Sequence, residues 1–227
     1  LSQPESILLR KVFDDFKPHF CFNLHDQRTI YSVGDSPVPA TLSLLAPALD
    51  TERSFTGNRI KAAQLSSLVA ASLKDVIGIA RYNDTFNQNC AGDYFQSRGV
   101  PTVLFEAGHF PGDYQRETTR FYVWQALLTA LDAISSRAYE KFSLDAYVEI
   151  PENQKRFADI LIRNAQITHP DLPANCTLGI QYEEKLSEGH VEFCPRIAEL
   201  GESGRRFGHL EWDLSRPRDM KKLIKSE

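Results

Sequence analysis

Apolar residues recur at helical spacing at Ile7, Leu8, Val12 and Phe16, which predicts a helix over residues 4–16. Ser2 is a suitable cap, Pro4 suits the first turn, and Lys17-Pro18 ends the pattern. Residues 20–24 form a short, mostly apolar run that reads as a buried strand, and it ends in the polar cluster His25-Asp26-Gln27-Arg28. A second strand-like run follows over 29–33. Residues 34–57 carry Gly34, Pro37, Pro39, Pro47 and Gly57 and read as a long connection, with some apolar content at Leu42, Leu44 and Leu45. Long ordered connections serve either as binding-site walls or as plain surface. Ile60, Leu65, Leu68, Val69 and Leu73 then predict an amphipathic helix over 58–73.

Residues 75–80 are expected to form a strand, 81–90 a polar loop, and 91–97 a short helix closed by Gly99. A third buried strand, 101–105, delivers Glu106 at its carboxyl end. Beyond Gly108 and Gly112 a long helix is expected from about 114 to 141, with Phe121, Trp124, Leu127, Leu128 and Leu131 on its apolar face. Strand–helix alternation of this kind predicts an α/β protein whose sheet is largely parallel, with helices on both faces. The texture changes near residue 145. Strand-like runs at 157–167, 176–182 and 190–193 are separated by Pro, Gly and Asn turns, and Ile160, Ile162 and Tyr182 fit alternating burial. The expected division is therefore an α/β domain over 1–144 and a small mostly-β domain over 145–227, with residues 221–227 as a frayed tail.

Composition narrows the possible partners. Hydrophobic residues make up 42% and charged residues 25% of the 227-residue chain, the balance of an ordinary soluble protein. A net charge of -4 offers no electrostatic footprint for nucleic acid or an anionic membrane. No apolar run approaches the roughly 20 residues that span a bilayer. The four cysteines, Cys21, Cys90, Cys176 and Cys194, lack metal-like spacing. They are expected to be reduced, which points to the cytoplasm.

Candidate chemistry gathers at two strand ends, where open α/β sheets place their ligands. His25 and Glu106, brought together there, would supply a metal ligand and a general base. Each taken alone also fits a hydrogen-bonded structural residue. Arg28 could grip a substrate carboxylate or phosphate, or pair with Asp26 or another acid. Asp26 could orient an imidazole or simply serve the turn. Tyr82 and Asn83, in the loop before the Glu106 strand, are candidate substrate contacts. His109 follows Glu106 by three residues, but Gly108 and Pro111 argue against a helical metal pair. His169, His190 and His209 are expected to be structural or exposed.

Two motifs carry a resemblance to a known family. Phe22-Asn-Leu-His25-Asp-Gln, followed by a strand ending in Gly34, resembles the stretch around the third zinc ligand of the zinc metallocarboxypeptidases. Thr102-Val-Leu-Phe-Glu106-Ala-Gly108, just before a long helix, is similar to that family's catalytic-glutamate strand. The likeness covers roughly residues 1–141. It implies a three-layer α/β/α fold with a mixed sheet, in which zinc and a glutamate activate water to cleave an amide. His25 would be the third ligand and Glu106 the base. The related succinylglutamate desuccinylases and aspartoacylases extend the implied substrates from peptides to acylated amino acids. In the family a His-x-x-Glu pair and an Asn-Arg precede the segment matching residues 4–16. The resemblance thus implies that two zinc ligands lie upstream of Leu1, and that this chain alone binds zinc weakly. An incomplete sheet would also favour self-association. The competing expectation is a non-catalytic binding protein that keeps the pocket of an incomplete carboxypeptidase-like fold.

Overall fold

The computed structural model describes residues 3–87, 89–167, 175–201 and 206–219. The chain is an α/β protein that divides into two compact units. The first comprises residues 1–27 and 40–153, and the second comprises residues 28–39 and 154–227. The expected boundary near 145 falls inside a short helix, α5 (Leu144–Val148). The observed division instead runs at 153/154, and a second stretch, residues 28–39, also belongs to the later unit. Ser2, His169 and residues 221–227 lie outside the described residues.

The first unit is built on a four-stranded sheet in the order β1-β5-β3-β4, with β1 at Cys21–Asp26, β3 at Leu42–Leu45, β4 at Ile79–Arg81 and β5 at Thr102–Ala107. The pairs β1–β5 and β3–β4 are parallel, and β3 runs antiparallel to β5. The sheet is therefore mixed, with the reversal at its centre. The strand that causes the reversal lies within the supposed long connection: Leu42–Leu45 is wholly buried. Four residues bounded by Pro39 and Pro47 are too few to show a period, so sequence pattern alone reads them as loop.

Helix α1 spans Pro4–Phe16, α2 Gly57–Leu73, α3 Ala91–Ser97 and α4 Glu117–Ser136, followed by a 3-10 turn at Ala138–Lys141. Of the expected apolar face of α4 only Leu127 packs against the core, and the fully buried positions are others. Phe121, Trp124, Leu128 and Leu131 are 47–56% exposed, while Thr119, Ala126, Ala130 and Ala133 are buried. Ala62, Ala63 and Ala70 of α2 share one core with Ala126, Ala130 and Ala133, and the two helices are in contact. Small side chains let helix axes approach closely, so here close packing decides the orientation over bulk apolarity. Deeper in this unit Arg59 is fully buried. It donates to Asp84 Oδ2 (2.8 Å) and Ala46 O (3.1 Å), and its guanidinium lies 3.9 Å over the Phe55 ring. A buried guanidinium paired this completely holds its loops as a structural tie.

The second unit holds a sheet in the order β10-β7-β8-β9, from β7 (Phe157–Ala165), β8 (Cys176–Ser187), β9 (His190–Gly201) and β10 (Phe207–Asp213). One small apolar cluster in it gathers Ile162, Ala165 and Cys176, packed by Ile160, Leu178, Ile180 and Trp212, and Phe157, Ala158 and Leu161 of β7 are also buried. Residues 28–39 are tied in by His209 Nε2 to Thr29 O (2.8 Å), Phe157 N to Ile30 O (3.1 Å) and Arg156 Nε to Asp35 Oδ1 (3.1 Å). Of the second expected strand, residues 29–33, only Ser32–Val33 (β2) is extended; it pairs with β6, Asn153–Gln154. All four cysteines are free thiols. Among the described residues no helix is long and apolar enough to cross a membrane.

Candidate active site

His25 and Glu106 lie side by side. Strand β1 extends two residues beyond the predicted run, so His25 sits within the strand, not in a turn after it, and it is in register with Glu106 on parallel β5. Ser43 of β3 is in register with Glu106 on its other side. Residues paired across a sheet point to the same face, so His25, Glu106 and Ser43 form one row. His25 Nδ1 is 3.5 Å from Glu106 Oε1. The two side chains meet water very differently: that of His25 is 45% exposed and that of Glu106 only 7%.

Burial governs the chemistry of Glu106. Loss of hydration disfavours its charged form, the negative Asp26 adds to the effect, and its pKa rises from 4.5 to about 7. A carboxyl poised there can take up and release a proton near neutral pH. Cys90 feels the same field. Burial first, then the charges of Asp93 and Glu106, raises its thiol pKa, so the sulfur is held protonated and is no activated nucleophile.

Support for this row comes largely from residues that the sequence pattern does not single out. Asp26, a candidate for orienting an imidazole, pairs with Arg116 Nη1 at 3.0 Å. Arg116 Nη2 also donates to the carbonyls of Ala107 (3.2 Å) and Gly108 (3.0 Å), so one guanidinium ties the end of β1 to the turn after β5. Gln27 is buried. Its Nε2 donates to Ala40 O (2.9 Å), and its Oε1 accepts from Asn153 Nδ2 (2.9 Å), which also reaches Ser43 Oγ (3.4 Å). Gly108 N donates to Thr41 O (2.8 Å). A Cβ at Gly108 would stand 1.7 Å from Ala40 O, so only glycine fits this junction.

The other expected site residues are placed elsewhere. Arg28 belongs to the second unit, where Nη1 lies 3.6 Å from Glu184 Oε1, in line with the ion-pair reading of this residue. Tyr82 and Asn83 leave β4 at the end of the sheet opposite the carboxyl ends of β1 and β5, because β4 runs against β5. Asn83 Nδ2 donates to Glu152 Oε1 (3.3 Å), and its Oδ1 accepts from Thr85 N (2.9 Å). His109 is buried with its ring 4.9 Å from that of Tyr114. His209 is half-buried and stacks on Phe157, and loss of hydration lowers its pKa, which favours the neutral ring. His190 is exposed at the start of β9. Among the described residues no three His, Cys, Asp or Glu side chains cluster to hold a metal.

The Asp26 contribution can be measured. In Asp26→Asn the pKa of Glu106 is expected to fall but to stay above the usual carboxylate range, because burial is the larger cause. A carboxyl-carbon NMR titration reads this directly. An unchanged titration would remove Asp26 from the account.

No protein-family model, characterised protein or solved structure matches this chain.

Proposed function

We propose that the His25–Glu106 row is the proton-transfer part of a zinc-dependent amide hydrolase acting on a peptide or an acylated amino acid. The observation that carries this reading is a buried glutamate with a pKa of about 7 beside a solvent-accessible imidazole. Glu106 takes a proton from the attacking water and returns it to the departing amine nitrogen, a two-way role that a pKa near neutrality serves best. Ser43, Gln27 and Asn153 hold the floor beneath it. The resemblance of the two strand motifs to zinc metallocarboxypeptidases supplies the substrate class.

The described residues alone do not fit a catalytic zinc. Such sites take three protein ligands with an open position, and here His25 has only Glu106 beside it. Zinc would supply Lewis acidity in a longer polypeptide that adds the remaining ligands. Titration of this chain with zinc in a calorimeter is therefore expected to show no tight stoichiometric uptake. Tight equimolar binding would overturn this division of the site. The reading as a whole is tested on the full natural protein, with a panel of acylated amino acids and carboxyl-terminal dipeptides, with zinc and with chelator. Release of free amine only with zinc supports the hydrolase. The lack of a three-donor cluster favours a second reading, a binding protein that keeps the cleft without turnover; ligand binding with no hydrolysis in that same panel would establish it.

A three-layer arrangement for the first unit belongs to the same proposal. Val103 and Phe105 lie in the core shared with α2 and α4. Leu104, between them, pairs with Asn23, which α3 approaches so closely that a Cβ at Gly92 would sit 3.1 Å from Asn23 Nδ2. Alternate residues of a strand face opposite sides, which supports helical cover on both.

A further inference from the structure

At the other end of β1 and β5 lies a hollow of about 470 Å3, bordered by the residues that lead into both strands. We propose that it binds a small molecule carrying an anionic group on an aromatic or apolar body. Its volume falls in the range of small-molecule sites, about 300–1,000 Å3. Its walls divide by chemistry. His19, Lys61 and Arg137 bring cationic or protonatable nitrogen, and Phe20, Ile134 and Tyr139 bring apolar surface. No aspartate or glutamate is among the lining residues, although the chain as a whole carries a net charge of -4. Glu140, which bonds the Tyr139 hydroxyl, stands outside the lining.

The cations are available. Among the described residues the side chains of Lys61 and Arg137 form no ion pair, in a protein whose arginines are otherwise widely paired. The apolar wall is fixed: Tyr139 is 6% exposed, and its ring meets Phe20 edge-on with centroids 5.4 Å apart. Arg137 has a left-handed backbone, φ 57°, at the turn from α4 into the Ala138–Lys141 segment. A rigid aromatic wall facing free cations gives orientation and charge selection together. Phe20 precedes His25 by five residues of extended chain, roughly 16 Å at the rise of a strand. The hollow is thus a second site, independent of the proton-transfer row and of the hydrolase reading.

Calorimetric titration of the intact chain with phenyl phosphate, benzoate and uncharged phenol tests this. Saturable equimolar binding is expected for at least one of the two anions, with phenol weaker by about tenfold or more. Whichever anion binds more tightly assigns the head group. Lys61→Ala combined with Arg137→Ala, both at exposed positions, is expected to weaken that binding by at least about tenfold, and Lys61→Glu to abolish it. Circular dichroism and an unchanged Glu106 titration establish that these variants remain folded. Failure of both anions to saturate, or binding untouched by the substitutions, would overturn the proposal.

Discussion

Replacing Glu106 with glutamine is expected to slow the proposed hydrolysis at least about a hundredfold and to stabilise the fold above neutral pH. On the proposed hydrolase reading, in the full natural protein, a general base would contribute about a hundredfold to ten-thousandfold to rate, and an amide of the same shape cannot accept the proton. The stability effect follows from the same burial. The folded chain keeps a proton on Glu106 up to about pH 7, whereas an ordinary glutamate releases it near 4.5. Between those values the unfolded chain binds fewer protons than the folded one, so stability falls as pH rises and the loss is complete above about 7. At about 1.4 kcal/mol for each pH unit the loss is about 3 kcal/mol. Glu106→Gln has no such proton to lose. Denaturant unfolding with chelator present, at pH 5 and pH 8, should show the natural chain losing stability across the interval and the variant holding level. Parallel behaviour of the two would refute the burial account. Full hydrolytic activity in the variant would refute the base assignment separately.

Gly108→Ala is expected to be the most damaging single-methyl change in the first unit. The new Cβ would stand 1.7 Å from Ala40 O and 2.6 Å from Gln27 Nε2, and the first of these is backbone that cannot swing aside. Relief requires β5 and the Ala40 segment to separate, which breaks the Gln27–Ala40 and Gly108–Thr41 hydrogen bonds. Overpacking and stranded buried polar groups together cost about 3–5 kcal/mol. That lowers the melting temperature of a domain this size by about 10 °C or more. Gly112 is the control. Its φ is +77° but nothing lies within 4 Å of a Cβ there, so alanine costs only about 1 kcal/mol of backbone strain. Equal thermal shifts for the two variants would show that the close approach at Gly108 is not what matters.

His25 and Glu106 stand out in the sequence because each follows a short, mostly apolar run. Their direct adjacency does not, since register between strands remote in sequence leaves no periodic trace. Leu42, Leu44 and Leu45 read as apolar content of a connection, not as a strand, because the segment is flanked by prolines and only four residues long. The orientation of α4 misled for a definite reason: a stripe of alanines reads as neutral in hydropathy, yet close helix packing prefers it to tryptophan and phenylalanine. Gln27 and Asn153 were hidden by distance, as side-chain bonds across more than a hundred residues carry no local signal. Arg28 neighbours His25 in the chain, but its backbone turns left-handed at φ 58° just where the polypeptide passes into the second unit.

That passage has a genetic consequence. Because residues 28–39 belong with 154–227, the two units alternate along the chain, each interrupting the other, and no single cut in the gene separates them. A piece made from residue 154 onward would lack Thr29, Ile30 and Asp35, the partners of His209, Phe157 and Arg156. The first unit is better placed to stand alone. Its two broken ends, Gln27 and Ala40, are already joined by a 2.9 Å hydrogen bond, so a linker of a few residues could replace the twelve-residue excursion between them.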